Sequence, residues 1–319
     1  MYILTGGAGF IGSNLLRALN ERGDDDVMVV DRLGENFQNL TDLRFADYMA
    51  PEEFLEAIAA RALPDRIEAI FHQGACADTT LTDGRYMMEN NFRFSKQVLG
   101  LALERKIPLV YASSAAVYGG ARAFAEQPEN ERPLNLYGLS KLAFDMHVRR
   151  RLTGSSAPQS AAVGLRYFNV YGAREAHKGK MASMPYQLYR QLKTTGRARL
   201  FTGTDGFADG EQRRDFVSVE DVVRVNLFFA DGKPRRGIFN VGSGVSRSFN
   251  DVARTLIGLM GRGAIEYVPF PAALAGKYQS FTEAKLAALR AAGCDHEFKG
   301  LENGIAEAFA LWEREEATS

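Results

Sequence analysis

The stretch Thr5-Gly6-Gly7-Ala8-Gly9-Phe10-Ile11-Gly12 decides the reading of the fold. It follows a short apolar run at 2–5 and opens a stretch of helical periodicity at 11–22. Gly7, Gly9 and Gly12 fit the spacing G-x-G-x-x-G. Glycine is required where a turn is tight and where backbone must approach a phosphate with no Cβ in the way. The helix that follows offers free N–H groups and a positive dipole end to an anion. The spacing alone is weak, because glycines also make plain turns. Here Asp31 ends a second apolar run about 20 residues on, where a ribose-binding acid belongs. The combination predicts a dinucleotide site that includes Gly6, Gly9, Phe10, Ile11, Gly12 and Asp31.

Working outward, short apolar runs at 27–31, 68–72, 109–113 and 162–168 alternate with amphipathic stretches at 51–63, 85–105 and 137–152. Strand–helix alternation implies a parallel sheet covered on both faces. Right-handed crossovers then give an α/β, doubly wound Rossmann sheet. The second half is less regular. Glycine-rich 201–214 reads as a loop, 215–219 and 237–241 as strands, and 220–230, 248–260, 283–292 and 301–315 as helices. The expected layout is a dinucleotide-binding domain, 1–168 plus about 215–243, and a smaller α/β substrate lobe, 169–214 plus about 244–319.

The 319 residues are 46% hydrophobic and 24% charged, with a formal net charge of zero. No global field argues for nucleic acid or an anionic membrane surface. Cys76 and Cys294 make neither a disulfide framework nor a zinc site and fit a reducing compartment. Residues 2–4 lead straight into glycines, so they read as a strand and not a signal peptide, and no apolar run is long enough to span a bilayer. The expected location is cytoplasmic, with a small-molecule substrate.

A second motif, Tyr137-Gly138-Leu139-Ser140-Lys141, puts a phenol and an ammonium on one helix face. A phenol normally ionises near pH 10; a nearby ammonium and a nicotinium charge are expected to lower that value, so that Tyr137 works as a general base. Ser113 and Ser114 end a strand at the carboxyl edge where open sheets bind ligands, and a hydroxyl there suits a substrate oxygen. A lone Tyr-x-x-x-Lys means little; beside a dinucleotide turn it reads as catalytic. Gln73, Gly74, Ala75, Cys76 and Ala77 follow another strand end, where small residues let backbone approach a flat ring. His72 reads as a core histidine. Asp31 favours NAD, through a ribose hydroxyl, whereas Arg32 favours NADP, through a 2′-phosphate, and both stay open.

These segments, with 111–119, Arg166-Tyr167-Phe168-Asn169-Val170-Tyr171-Gly172 and Arg214-Asp215-Phe216-Val217, resemble the extended short-chain dehydrogenase/reductases, in the nucleotide-sugar epimerase and dehydratase group. Within it, Phe71-His72-Gln73-Gly74-Ala75-Cys76, Tyr86-Met87-Met88-Glu89-Asn90-Asn91, Arg174-Glu175-Ala176-His177-Lys178-Gly179 and Gly276-Lys277-Tyr278-Gln279 resemble the ADP-glyceromanno-heptose 6-epimerase family over nearly the whole chain. The resemblance implies conversion of ADP-D-glycero-D-manno-heptose to the L-glycero epimer for lipopolysaccharide core synthesis. The C6″ hydrogen is not acidic, so the implied route oxidises the alcohol to a 6″-ketone and returns hydride to the other face. The resemblance also implies one tightly bound NADP per subunit, a homopentamer, and Lys178 as a second acid–base group beside Tyr137, Lys141 and Ser114. Asn90, Val170 and Lys178 join the cofactor residues, and Ser114, Asn169, Lys180, Gln187, Phe201, Thr202, Gly203, Thr204, Arg214 and Tyr278 the substrate residues.

The chain departs from the family pattern in a shorter loop after Asp31, in the loss of lysines near Asn36 and Pro51, and in a longer 201–214 loop. A nucleotide-sugar 4-epimerase would share Ser114, Tyr137 and Lys141 but not His-Lys-Gly. A 4,6-dehydratase would carry Asp-Glu where Ala115-Ala116 stand. A non-catalytic dinucleotide sensor would have no need of Tyr137 and Lys141.

Overall fold

The computed structural model describes residues 1–153, 161–272, 276 and 278–318; Lys277 lies outside the described residues. Six strands come first: β1 (Tyr2–Thr5), β2 (Val27–Val30), β3 (Asp47–Met49), β4 (Ala69–His72), β5 (Leu109–Ser114) and β6 (Ala162–Tyr167). After β7 (Asn169–Tyr171), β8 (Arg197–Phe201) and β9 (Arg213–Ser218), β10 (Arg236–Val241) returns to join them. The resulting sheet has the order β10-β6-β5-β4-β1-β2-β3 and is parallel throughout. This is the doubly wound fold expected from the alternation. The order reverses between β1 and β4, where Thr5 stands opposite both Val30 and His72. Ligands bind outside the strand ends at such a reversal.

The pleat sends successive side chains of β1 to opposite faces. Leu4 meets Leu15, Leu16 and Leu19 of α1 (Phe10–Glu21) and Val222 and Val225 of α7 (Val219–Ala230). Ile3 meets the other layer: Phe54 of α2 (Pro51–Ala59), Val98 and Leu99 of α4 (Phe94–Arg105), and Phe144 and Val148 of α5 (Leu136–Leu152). Before α4 lies the short helix α3 (Gly84–Met88).

The remaining elements form a second core. α6 (Met184–Thr195), α8 (Phe249–Met260) and α10 (Leu301–Thr318) pack around Trp312, with the parallel pair β8 and β12 (Ala264–Val268). A three-stranded sheet, β11 (Ser246–Ser248), β9 and β7, bridges towards the large sheet. Trp312 is fully buried, and its indole N–H donates to Gly172 O at 2.8 Å, which ties α10 to the segment after β7.

Several expectations need correction. The strand read at 215–219 is β9 and belongs to the small sheet; α7 and β10 are where the chain rejoins the large one. The helix read at 283–292 shrinks to α9 (Ala287–Ala291). The helix read at 85–105 is interrupted by a π-helical turn, Glu89–Arg93, at which the Asn91 amide leaves the helix to bond neighbouring backbone. β3, β7 and β11 were not foreseen, because three residues are too few to show alternation. Among the described residues no helix is long and apolar enough to cross a membrane.

A buried ion cluster fixes α5 against the sheet. Asp145 accepts from Tyr111 Oη (3.0 Å), Ser113 Oγ (2.9 Å) and Arg166 Nε (3.0 Å), and Arg166 also pairs with Glu131, which in turn holds Arg149 at 2.6 Å. Asp145 and Arg166 are both fully buried. Removing one partner leaves an uncompensated buried charge, so Asp145→Ala should lower unfolding free energy by about 3–5 kcal/mol in urea titration. A loss within experimental error would mean that the cluster does not hold the helix.

Candidate active site

The glycine turn is built by backbone touching backbone. Gly6 has φ +72°, and a Cβ on it would lie 2.5 Å from Gly74 N. A Cβ on Gly12 would lie 2.0 Å from Gly6 O. α1 therefore starts hard against the ends of β1 and β4. Its N-cap, Gly9, gives no side-chain cap, and no acid stands in its first turn, so the N–H groups there face outward for an anion. This cradle fits a dinucleotide's pyrophosphate. Beside it a cavity of about 570 Å³ is lined by Gly6, Asp31, Arg32, Gly74, Ala75, Cys76 and Asn90, together with Glu52 and Arg93.

Asp31 both braces the turn and faces that cavity. Its Oδ2 accepts from Ala8 N (2.9 Å) and its Oδ1 from Arg32 N (2.8 Å), while burial pushes its pKa up. The Arg32 guanidinium donates to Asn90 Oδ1 (2.8 Å) and pairs with Glu52. Gln73 turns away from the cavity to Asn226 (3.0 Å) and Tyr167 (2.9 Å), and Ala77 is exposed beyond it.

A proton-ordered chain props the crossing from behind. Gly74 N–H donates to Thr5 Oγ1 (3.1 Å), and Thr5 Oγ1 stands 2.6 Å from His72 Nδ1. On the other side, His72 Nε2 meets Ser95 Oγ at 2.8 Å, and Ser95 donates to Asn91 O at 2.5 Å. Ser95 has one proton and gives it to Asn91, so His72 must donate from Nε2 and accept at Nδ1. The imidazole is neutral, pushed down by burial to about 3. Asn91 then clamps Cys76 through both N (2.8 Å) and O (2.9 Å) and donates to Ser140 Oγ (3.0 Å).

The Tyr137 segment owes its composition to this packing. Asn135 caps α5 by accepting from Gly138 N at 2.8 Å. A Cβ on Gly138 would lie 2.6 Å from Ala116 O, so glycine lets the helix start touch the turn after β5. Ser114 Oγ accepts from Ala116 N (3.1 Å) and lies close enough to the Tyr137 phenol to pull its pKa down. Ser113 faces Asp145 instead, as strand alternation requires. Lys141 Nζ donates to Ala112 O at 2.8 Å and lies 5.9 Å from the Tyr137 ring centroid. One expectation is reversed in the chain's own environment. Burial pushes the Tyr137 phenol up, opposed by Ser114, while Lys141 falls to about 8 because burial outweighs Asp145.

Lys178 arrives from the other side, on the loop between β7 and α6. Its Nζ lies 5.1 Å from the centroid of Phe10, the first residue of α1, and burial pushes its pKa down against the pull of Glu175. Tyr137 thus stands by the end of β5 and Lys178 over the start of α1, both at the carboxyl edge of the large sheet. Lys180 is exposed on the same loop. Gln187 is occupied in bracing that loop, donating to Lys180 O (3.1 Å) and Ala182 O (2.7 Å). Val170 packs at the margin of the large core, and Asn169 beside it is exposed.

On the second lobe, Arg214 is buried with its guanidinium 4.7 Å from the Tyr278 ring centroid and 5.7 Å from that of Phe249. Burial pushes Arg214 down and Tyr278 up. The 201–214 loop is stitched to itself. Gly203 N donates to Asp209 (2.8 Å), Gln212 to Thr202 O (3.0 Å), Phe207 N to Thr204 O (3.0 Å) and Gly210 N to Phe201 O (2.9 Å). Phe201 packs its ring 5.5 Å from Phe270, and Ser280 bonds Asp205. Sequence reasoning missed Asn91, Glu52 and Glu175; Asn91 was detectable as the second half of an Asn-Asn pair inside a helical pattern.

A model of the NAD dependent epimerase/dehydratase family matches residues 2–242. The chain belongs to the NAD-dependent epimerase/dehydratase family. This family member is 55% identical over 307 residues to the ADP-L-glycero-D-manno-heptose-6-epimerase of Alkalilimnicola ehrlichii, covering 96% of this chain and 95% of that protein. It is 51% identical over 321 residues to the protein of the same name from Thiobacillus denitrificans, covering 95% and 96%. Among solved structures it resembles the Helicobacter pylori ADP-L-glycero-D-manno-heptose-6-epimerase, with 32% identity, a TM-score of 0.85, and coverage of 97% of this chain and 95% of that one. The likeness spans both cores, not the dinucleotide half alone.

His72 gives the site a pH signature. Its pKa is about 3 folded, below the ordinary 6.5, so its contribution to stability is complete above pH 6.5 and is lost as pH falls towards 3. This one group should give a slope of up to about 1.4 kcal/mol per pH unit. Denaturant titrations across that window should show His72→Gln to be less stable at pH 7 but flatter with pH; equal slopes would remove His72 as the source.

Proposed function

We infer that the chain epimerises ADP-D-glycero-D-manno-heptose at C6″ to ADP-L-glycero-D-manno-heptose, a precursor of the lipopolysaccharide core. The observation that carries this reading is two proton-handling groups from separate elements at the carboxyl edge of the large sheet, Tyr137 beside Ser114 at the end of β5 and Lys178 over the first residue of α1. Inversion of an alcohol needs its proton handled in two orientations. The relatives that share most of the chain are named for this conversion.

When bound, a nicotinamide dinucleotide supplies a hydride acceptor that later serves as donor, so there is no net redox change. The residues that would hold it are Gly6, Gly9, Phe10, Ile11 and Gly12 at the pyrophosphate, Asp31 and Arg32 at the ribose, and Gly74–Cys76 along the crevice. Ser114, beside the Tyr137 phenol, holds the substrate oxygen. Tyr137 takes the alcohol proton as the sugar is oxidised in one orientation and gives it back only in the reverse reaction. Lys141 sustains the phenolate electrostatically while fixed to Ala112 O. Lys178, made less basic by burial, handles the proton in the other orientation. Arg214 and Tyr278 offer a charged fork and a ring to the nucleotide diphosphate.

Finer points follow the same reading. The cofactor is NADP, held tightly, one per subunit, and Arg32 is the group available to a 2′-phosphate. Residues 1–168 and about 215–243 serve the cofactor, and 169–214 and about 244–319 the sugar. Location in the cytoplasm rests on the reading of the two cysteines as kept reduced, and assembly as a homopentamer on the family resemblance.

Incubation of the purified protein with ADP-D-glycero-D-manno-heptose in deuterated water should yield the epimer without deuterium at C6″. UDP-glucose should be left unchanged. Tyr137→Phe and Lys178→Met should each lower kcat by about 10²–10⁴. Deuterium at C6″, or turnover of UDP-glucose in place of the heptose, overturns the assignment. For the cofactor, Glu52 competes with a phosphate for Arg32. In calorimetric titration, Glu52→Gln should tighten NADP several-fold and Arg32→Ala should weaken it about tenfold, with NAD changed little. Equal effects on both dinucleotides would take the 2′-phosphate away from Arg32.

A further inference from the structure

We propose that Glu175 is a positioning residue that closes the Lys178 loop on itself and holds the lysine ammonium over the start of α1. The inference rests on reading Lys178 as the second acid–base group.

Glu175 is fully buried. Its Oε1 accepts from Gly172 N (3.1 Å) and Ser183 Oγ (2.8 Å), and its Oε2 accepts from Ser183 N at 2.6 Å. Both ends of the segment from β7 to α6 therefore meet on one carboxylate. Between them Lys178 N donates to Glu175 O (3.0 Å) and Ala182 N to Gly179 O (3.1 Å), with Gly179 at φ 51°. An ionised carboxylate accepts three donors without offering one. An amide in either orientation would point a hydrogen at a backbone N–H that already donates, and a protonated acid could be met only if the Ser183 hydroxyl turned round.

The same carboxylate acts on Lys178 through charge. Among the described residues no carboxylate lies within ion-pair distance of Lys178, so Glu175 acts on it across space. Of the other charges near the loop, Lys180 is exposed and the rest are engaged elsewhere. Arg174 pairs with Asp42, and its N–H donates to Glu315 of α10 (2.8 Å). The His177 ring faces Asn39 at 3.1 Å, and Arg17 of α1 pairs with Glu220 of α7. Burial pushes Glu175 up to about 7, and Lys178 opposes that rise. As pH falls through that value the carboxylate takes a proton, loses an acceptor and stops supporting the ammonium.

The test uses the cofactor-loaded enzyme with Glu175→Gln, Glu175→Asp and Ser183→Ala. Lysines are ¹³C-methylated, and the Lys178 signal is assigned by its loss in Lys178→Arg. Glu175→Gln should lower the Lys178 titration midpoint by about one unit, a tenfold loss of proton affinity, and Glu175→Asp by less. It should also lower kcat about 10–100-fold with KM within about threefold, and erase the acidic limb of the kcat profile. Ser183→Ala keeps the charge, so it should cost turnover without moving the Lys178 midpoint; it also supplies a reading if Glu175→Gln does not fold. An unmoved midpoint in Glu175→Gln, or a pH-independent loss equal in Gln and Asp variants, overturns the proposal. Full activity in Lys178→Met would overturn the acid–base reading instead, while the titration still decides the coupling.

Discussion

The contact on which the rest of the site depends is the crossing of two backbones at Gly6 and Gly74. There is no room for a Cβ on Gly6 at this contact. The contact sets where α1 begins and therefore where its N-terminal N–H groups point. It also sets the height of the Gly74–Cys76 segment above the sheet. A crossing this tight needs support, because its polar groups are taken from water. The support is the chain from Thr5 through His72 and Ser95 to Asn91, which reaches Ser140 beside the Tyr137 carbonyl. One directional set of hydrogen bonds thus joins the phosphate cradle to the helix that carries the phenol. The buried Asp145–Arg166 cluster holds that helix from beneath.

The second lobe reaches the crevice by a different device. Trp312 bonds Gly172 O, and Glu175 bonds Gly172 N. The segment carrying Lys178 is therefore anchored at its base to α10 and closed by its own carboxylate. A flexible lysine on an exposed loop would spend most of its time in water. Here the loop geometry brings its Nζ over Phe10, at the start of α1. Phe10 belongs to both the glycine turn and the Lys178 contact.

The large sheet was legible in the sequence because its strands are buried on both faces. Val27–Val30 and Ala69–His72 read as unbroken apolar runs. The glycine turn and Tyr137–Lys141 were legible because their spacing is local. What was not legible is set by contacts between distant residues. Nothing near Gln187 says that its amide will brace Ala182 and Lys180, and nothing near Glu175 says that it will be buried. β3, β7 and β11 are too short to carry a pattern, and β9 changes sheets because its neighbours, not its composition, choose its partners. Ser113 and Ser114 show the boundary well. The sequence offers two hydroxyls, and only the pleat turns one to Asp145 and the other to the side where Tyr137 lies.

The same physical cause displaces most of the titratable groups that matter. Burial raises Tyr137 and Glu175 and lowers Lys141 and Lys178. Each shift favours the neutral form, so the crevice is poised to gain charge only when an opposite charge enters with it. A phenol pushed up by burial does not ionise at neutral pH on its own account. It does so when a cation is placed beside it, which makes proton transfer conditional on an occupied site. Glu175 and Lys178 are the exception that the fold supplies internally: two buried groups of opposite sign, each holding the other nearer its charged form. Reactivity in the crevice is therefore gated by what binds there, while the loop opposite keeps its own charge in reserve.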